Sequence, residues 1–254
     1  MIHFVGAGSG AVDLITVRGQ KYLQEADVII YAGSLVNPLL LENKKEGCQV
    51  YNSALMTLEE VMEVMEKAEA EGKMTVRLHT GDPCLYGAIR EQMDLLDQRN
   101  IQYDSCPGVS SFCAAAAALD LEYTLPDVSQ SVIITRMAGR TPVPDRESIR
   151  SFAAHGTTMV VFLSTGLLEG LSKELIAGGY APDTPAAIVY KASWPDEEKY
   201  ICTVETLAQC AKEHNITRMA LTLVGPCVLH THYRRSDLYH PNFSTEFRKA
   251  VQDK

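Results

Sequence analysis

The chain reads as two α/β domains with a ligand cleft between them. Three observations predict this. Short β-rich runs alternate with helical patterns through the first half. Each Gly/Ser/Pro turn noted there falls at the carboxyl end of a strand. After a non-periodic stretch the alternation starts again. Strands alternating with helices indicate a parallel sheet covered by helices, and its carboxyl edge is where open α/β sheets bind ligands.

Residues 2–5 read as a strand that breaks into Gly6-Ala7-Gly8-Ser9-Gly10. A helix follows over 16–25, then a strand over 28–31 ending in Ala32-Gly33-Ser34. Apolar residues recur at helical spacing over 58–70, and Gly72 stops that helix. The strand 75–79 runs into Thr80-Gly81-Asp82-Pro83, and a helix spans 85–98. The strand 102–105 runs into Pro107-Gly108-Val109-Ser110-Ser111, where Ser110 or Ser111 can cap the alanine-rich helix beyond. Residues 117–130, with Pro126, read as a linker between a domain at 1–116 and a second at 131–233. The second domain is expected to hold strands at 132–136, 159–163, 187–190, 200–204 and 220–224. Its helices are expected near 148–154, 167–176 and 206–213, with Gly178-Gly179 as a stop. Residues 234–254 read as a polar, partly ordered tail.

At 254 residues, 46% apolar and 22% charged, the composition is that of a globular protein able to bury two cores. A net charge of −9 argues against nucleic acid as a partner and requires a local basic patch for any acidic substrate. No apolar stretch is long enough to cross a bilayer, and the opening residues lack the basic flank of a signal peptide. Seven cysteines, an odd number with no CxxC pair, fit free thiols in a reducing, cytoplasmic setting rather than a zinc site. Cys84 and Cys106 flank the turn motifs and are expected to be buried thiols that pack as small hydrophobes.

The first loop invites a dinucleotide reading, because Gly6, Gly8 and Ala11 fit G-x-G-x-x-G/A between a strand and a helix. A ribose-binding acid should then end the second strand, yet Asp27 precedes that strand and Ala32-Gly33-Ser34 follow it. NAD(P) binding therefore stands as the rival reading from another class. Asp82 can accept hydrogen bonds from a ligand, or cap the helix that begins at Pro83, or do both. Arg77 and His79 share one face of their strand, and Arg136 and Arg140 bracket another strand end. Arginine forks suit carboxylates, so these four form a candidate acid-binding patch, with solvated surface arginine the plain alternative for Arg140. His230 and His232 have no third ligand and read as a surface pair.

Four motifs in order resemble the tetrapyrrole methylases, the methyltransferases that act on uroporphyrinogen and the precorrins. They are the glycine loop with Asp13-Leu14-Ile15-Thr16-Val17-Arg18-Gly19, then Ala26-Asp27-Val28-Ile29-Ile30-Tyr31, then Gly81-Asp82-Pro83 with Tyr86-Gly87, then Pro107 through Ser111. The resemblance runs to about Leu229. Tyr31 through Val36, Arg77 through Asp82 and Ile134 through Pro142 look like the branch that methylates C-11 of precorrin-4 or cobalt-precorrin-4 on the way to cobalamin. The wording of the motifs is closer to the anaerobic branch, which converts cobalt-precorrin-4 to cobalt-precorrin-5A. Ala32 stands where the uroporphyrinogen branch has a proposed Asp base.

The resemblance implies the class III fold of S-adenosylmethionine-dependent methyltransferases, a homodimer, and the cofactor in the interdomain cleft. It implies cofactor contacts at Thr80, Gly81, Asp82, Leu85, Ser110 and Ser111, then at Leu163, Ala192, Ala220 and Leu221. It turns the first loop, Gly8, Ser9 and Gly10, towards the tetrapyrrole, whose acetates and propionates would meet Arg77, His79, Arg136 and Arg140. Where the family usually has Gly-Pro-Gly-Asp, this chain reads Gly8-Ser9-Gly10-Ala11, without the carboxylate. No residue is assigned as a general base and no protein-bound metal is expected. Methylation of a different precorrin carbon and a noncatalytic tetrapyrrole carrier remain as alternatives.

Overall fold

The computed structural model describes residues 1–229 and 233–251. Contacts divide the chain into two units, Met1–Ala115 with Lys191–Glu197, and Ala116–Tyr190 with Glu198–Lys254.

The first unit is built on a five-stranded, all-parallel sheet. Its strands are β1 (Ile2–Gly6), β2 (Val28–Tyr31), β3 (Gln49–Asn52), β4 (Thr75–His79) and β5 (Tyr103–Cys106), in the order β3-β2-β4-β1-β5. Sheets of this kind are covered on both faces, and β1 and β4 are buried at every position. Side chains alternate between two cores. Val5, Ile29, Val76 and Leu78 face α1 (Val17–Glu25) and its Leu23, while Ile2, Phe4, Val28 and Ile30 face α2 (Leu58–Ala70) and α3 (Arg90–Gln98).

Local chemistry sets the helix starts. Thr16 caps α1 by accepting the Gly19 N–H, and Thr57 with Glu60 forms a capping box on α2. Val61, Met62, Met65 and Ala68 give α2 its buried stripe. The helix expected over 85–98 starts only at Arg90. Tyr86 (φ 57°) and Ala88 (φ 49°) are left-handed, which ends any helical path through them. Strand β3 was not foreseen; it is a short edge strand with its first two residues exposed, so it lacks the apolar signal of its neighbours.

The second unit departs from the parallel pattern expected of it. Its sheet, β6 (Val132–Arg136), β7 (Thr158–Phe162), β8 (Pro185–Tyr190), β9 (Glu198–Thr203) and β10 (Ala220–Val224), runs in the order β6-β7-β10-β8-β9. Only β6 and β7 are parallel; β10 is antiparallel to both β7 and β8, and β8 to β9. The physical reason is connectivity. Residues 191–197 are too few for a helical crossover, so β9 must return antiparallel to β8. Helices Ile149–Ala153, Leu168–Ala177 and Leu207–Glu213 pack Ile149, Leu171, Leu175 and Leu207 against Met159, Val161, Ile188 and Val224. Among the described residues, no helix is long and apolar enough to cross a membrane.

Candidate functional site

Three glycine loops meet at the carboxyl edge of the first sheet. Adjacent strands β1 and β4 lead into helices on opposite faces, which opens the edge between them. There the chain is bare backbone. A Cβ on Gly6 would lie 2.6 Å from Gly108 N and Cα and from the Gly81 carbonyl, closer than atoms can pack. Gly8 and Gly81 exchange backbone hydrogen bonds, Gly81 N–H to Gly8 O at 2.8 Å and Gly8 N–H to Gly81 O at 3.2 Å. Both take left-handed φ values, +80° and +60°, which glycine alone adopts without cost. Glycine at these positions answers both the turn geometry and the close approach.

Asp82 ties two of the loops together. One carboxylate oxygen accepts the Cys84 N–H at 2.8 Å, and the other accepts the Gly108 N–H at 2.9 Å. Burial pushes its pKa up, but hydrogen bonds from Cys84 and Gly108 outweigh that and hold it below the usual carboxylate value. Of the two roles open to Asp82, the geometry displays the capping one, extended across to a second loop. Thr80, Leu85 and Ser111 are half-buried around it and Ser110 is buried. Cys106 is buried as expected, but Cys84 is exposed, because it lies in the irregular stretch that replaces the first turn of the expected helix.

Arg77 and His79 share a face, as their spacing requires, but it is the face covered by α2 and α3. Arg77 is 6% exposed and donates to Gln92 Oε1 at 3.0 Å and to the Ile30 carbonyl at 3.1 Å. Gln92 in turn donates to the Ala88 carbonyl at 2.9 Å, which fastens the left-handed stretch below α3. Burial lowers the Arg77 pKa to about 10. His79, 4% exposed, has no partner for Nε2 among the described residues; burial and then the nearby Arg77 charge lower its pKa to about 3, so the ring is neutral. Both side chains thus lie inside the unit, and their placement supports the edge from within.

In the second unit Arg136 is half-buried and donates to the carbonyls of Met137, Thr141 and Pro142, the last at 2.7 Å. It shapes the loop whose exposed tip carries Arg140. Leu163 ends β7 in the left-handed region (φ 53°) with 64% of its surface exposed. A left-handed leucine persists only where the surrounding structure imposes it. Ser164 beneath it accepts the Met137 N–H at 2.9 Å, and Thr165 donates to the Ala220 carbonyl at 3.0 Å, so the ends of β6 and β7 are tied to the start of β10. Leu221 is buried next to Ala220.

Ala192 is buried within residues 191–197, which group with the first unit. Ser193 meets Ser9 Oγ at 2.8 Å and accepts the Ala11 N–H at 3.1 Å. The resemblance named only Ala192 in this segment and not Ser193 or Trp194; the signal available was Trp194, the chain's single tryptophan, beside Pro195 between two strands. His230 and His232 lie outside the described residues. Among those described, no cluster of three or more His, Cys, Asp or Glu could hold a metal ion.

An all-parallel sheet whose carboxyl edge is stripped to glycine, followed by a mixed five-stranded sheet, describes a ligand-binding class of two-sheet enzymes. The chain belongs to the tetrapyrrole (corrin/porphyrin) methylases, whose family model matches residues 1–208. It is 51% identical over 98% of its length to the cobalt-precorrin-4 C(11)-methyltransferase of Methanocaldococcus jannaschii, covering 96% of that protein. It is 45% identical over 99% of its length to the enzyme of the same name from Priestia megaterium, covering 98% of it. The X-ray structure of a cobalamin biosynthetic enzyme, cobalt precorrin-4 methyltransferase, superposes with a TM-score of 0.88 at 46% identity, over 89% of this chain and 95% of that one. The uroporphyrin-III C-methyltransferase of Thermus thermophilus, complexed with S-adenosyl homocysteine, superposes with a TM-score of 0.77 at 25% identity, over 91% of this chain and 99% of that one.

Proposed function

We propose that this chain transfers a methyl group from S-adenosylmethionine to C-11 of cobalt-precorrin-4, giving cobalt-precorrin-5A. The observation that carries the reading is the glycine-only edge, in a chain matched along nearly its whole length by two relatives bearing that activity in their names. Gly81 fits a cofactor cradle: a Cβ there would stand 3.5 Å from Ser110 Cα and 3.6 Å from Ser111 N, at the turn where Ser110 is buried, whereas Gly6, Gly8 and Gly108 are glycine because backbone packs against them.

When bound, S-adenosylmethionine supplies an electrophilic methyl on a sulfonium and departs as a neutral thioether, so the protein has little acid catalysis to perform. Its residues bind, orient and exclude water. Thr80, Gly81, Leu85, Ser110 and Ser111 are the proposed cofactor contacts, with Asp82 holding their loops in register. Leu163, Ala192, Ala220 and Leu221 are proposed for its adenine and ribose. Gly8, Ser9 and Gly10 are proposed to face the tetrapyrrole. Arg140 is the proposed receptor of a substrate carboxylate, with Arg136 fixing the loop that carries it. Arg77 and His79 belong to the same site as inner supports, since a carboxylate reaching them would have to displace the loop held by Gln92. A homodimer and a cytosolic setting belong to the same reading.

Calorimetry with S-adenosylhomocysteine and with NADH, followed by anaerobic turnover of cobalt-precorrin-4 and of metal-free precorrin-4 read by mass spectrometry, tests this. Binding of the thioether alone and monomethylation of the cobalt form are expected. NADH binding, or tetrapyrrole binding without turnover, would overturn it. Faster turnover of the metal-free form would reassign the substrate.

A further inference from the structure

The first glycine loop has little side chain to order it, since Gly8, Gly10 and Ala11 offer no polar group and Ser9 only one hydroxyl. Chains of this kind lose the most conformational entropy on becoming ordered. Yet the loop is buried from Gly8 to Gly10. Beyond the backbone pair of Gly8 with Gly81, two further elements distant in sequence hold it. From one side Asn37, 5% exposed, donates to the Gly10 carbonyl at 2.8 Å while accepting the Leu39 N–H at 3.0 Å. From the other comes the strap 191–197. Its Ser193 hydroxyl takes the Ala11 N–H and pairs with Ser9, and Trp194 packs so tightly on Gly10 that a Cβ there would overlap the indole.

The strap is itself preset. Lys191 and Ser193 are left-handed (φ 46° and 66°), the Ser193 N–H donates to Glu197 Oε2 at 2.6 Å, and Lys191 pairs with Asp196 while lying 5.7 Å over the Trp194 ring. Left-handed non-glycine residues persist where surrounding contacts impose them, and they gather at functional sites.

We propose that Ser193 and Trp194 are positioning residues for the tetrapyrrole: the strap presets the first glycine loop so that its backbone meets the macrocycle without an ordering cost. Ser193 supplies from a distant segment the hydrogen bonds that the side-chain-poor loop cannot make for itself. The inference rests on the proposed function, in which that loop faces the tetrapyrrole. Preorganisation of a contact loop acts on affinity for the ligand it touches.

The test compares Ser193→Ala, Ser193→Thr and Trp194→Phe with the unaltered protein. Its readouts are KM for cobalt-precorrin-4, kcat, and the calorimetric Kd for S-adenosylhomocysteine. Trp194 being the single tryptophan, quenching of its fluorescence by the absorbing macrocycle reports tetrapyrrole binding directly. Ser193→Ala is expected to raise KM about ten-fold or more, through loss of its two hydrogen bonds to Ser9 and Ala11, with kcat and the thioether Kd within two-fold. Ser193→Thr, which keeps the hydroxyl, is expected to restore KM. An unchanged KM, an equal loss of thioether affinity, or absence of fluorescence quenching in the unaltered protein would overturn the inference. Should Ser193→Ala fail to fold, Trp194→Phe and the quenching measurement decide. Absence of turnover in the unaltered protein would instead strike the proposed function.

Discussion

The two sheets end their strands by different means. In the first, the strand ends converge as backbone: Gly6, Gly81 and Gly108 lie against one another, and the Asp82 carboxylate ties the second loop to the third. In the second, side chains do the joining. Arg136 wraps its own loop, Ser164 and Thr165 link neighbouring strand ends, and left-handed Leu163 stands exposed. The contrast teaches that the first edge has almost no tolerance for added atoms, while the second can be altered residue by residue.

Gly108→Ala should produce the largest effect. The new Cβ would overlap the Gly81 carbonyl and crowd the Gly6 backbone, and none of these groups is a flexible side-chain tip. Overpacking that moves backbone costs about 3 kcal/mol or more, seen as a lower urea midpoint. In the second unit Gly166→Ala meets nothing within 4 Å and should leave the midpoint unchanged, within about 0.5 kcal/mol. Equal losses would abolish the comparison.

Asp82→Asn comes next. An amide can still accept from either Cys84 or Gly108, but its NH2 group faces the other donor, so one charge-assisted bond is lost at a cost of roughly 2 kcal/mol. Because the lowered Asp82 pKa stabilises the fold above the ordinary carboxylate range and is lost on acidification, the variant should unfold less steeply with falling pH. Affinity for S-adenosylhomocysteine should drop along with stability; unchanged affinity would remove Asp82 from the site.

His79 predicts a pH dependence of opposite origin. Its folded pKa, about 3, lies below the ordinary value of 6.5, so the unfolded chain binds the proton first. Stability contributed by the neutral ring is complete above pH 6.5 and falls on acidification towards pH 3, by about 1.4 kcal/mol per pH unit. His79→Gln should flatten the stability profile between pH 6.5 and about pH 5, where most carboxylates are still ionised. A profile as steep as that of the unaltered protein would show that the ring does not stay neutral.

Leu163→Gly should have the smallest effect on stability. Relief of left-handed strain is worth about 1–2 kcal/mol, and added chain entropy costs about 0.5–1 kcal/mol, leaving a gain of about 0.5 kcal/mol. Cofactor affinity should fall even so. Denaturation and calorimetry on one preparation separate the two effects.

Much of the first sheet was legible because its signals are local. The strands 28–31 and 75–79 and the helix 58–70 follow from apolar runs, helical spacing and Gly72, and coincide with β2, β4 and α2. The glycine turns were visible as turns, but not their mutual packing, since the approach of Gly6 to Gly108 spans the whole unit. Alternation put Arg77 and His79 on one face correctly; it could not say which face the helices cover. The hold of the strap on the first loop was illegible for the same reason, as Ser193 finds Ser9 across most of the chain and itself lies in no motif.

The most direct measurement is anaerobic incubation with cobalt-precorrin-4 and S-adenosylmethionine bearing an isotopically labelled methyl group, with the product resolved by NMR. A single labelled methyl on C-11 is the expected result. Label on another ring carbon, or a macrocycle recovered without label while S-adenosylhomocysteine binds normally, would contradict the proposed function.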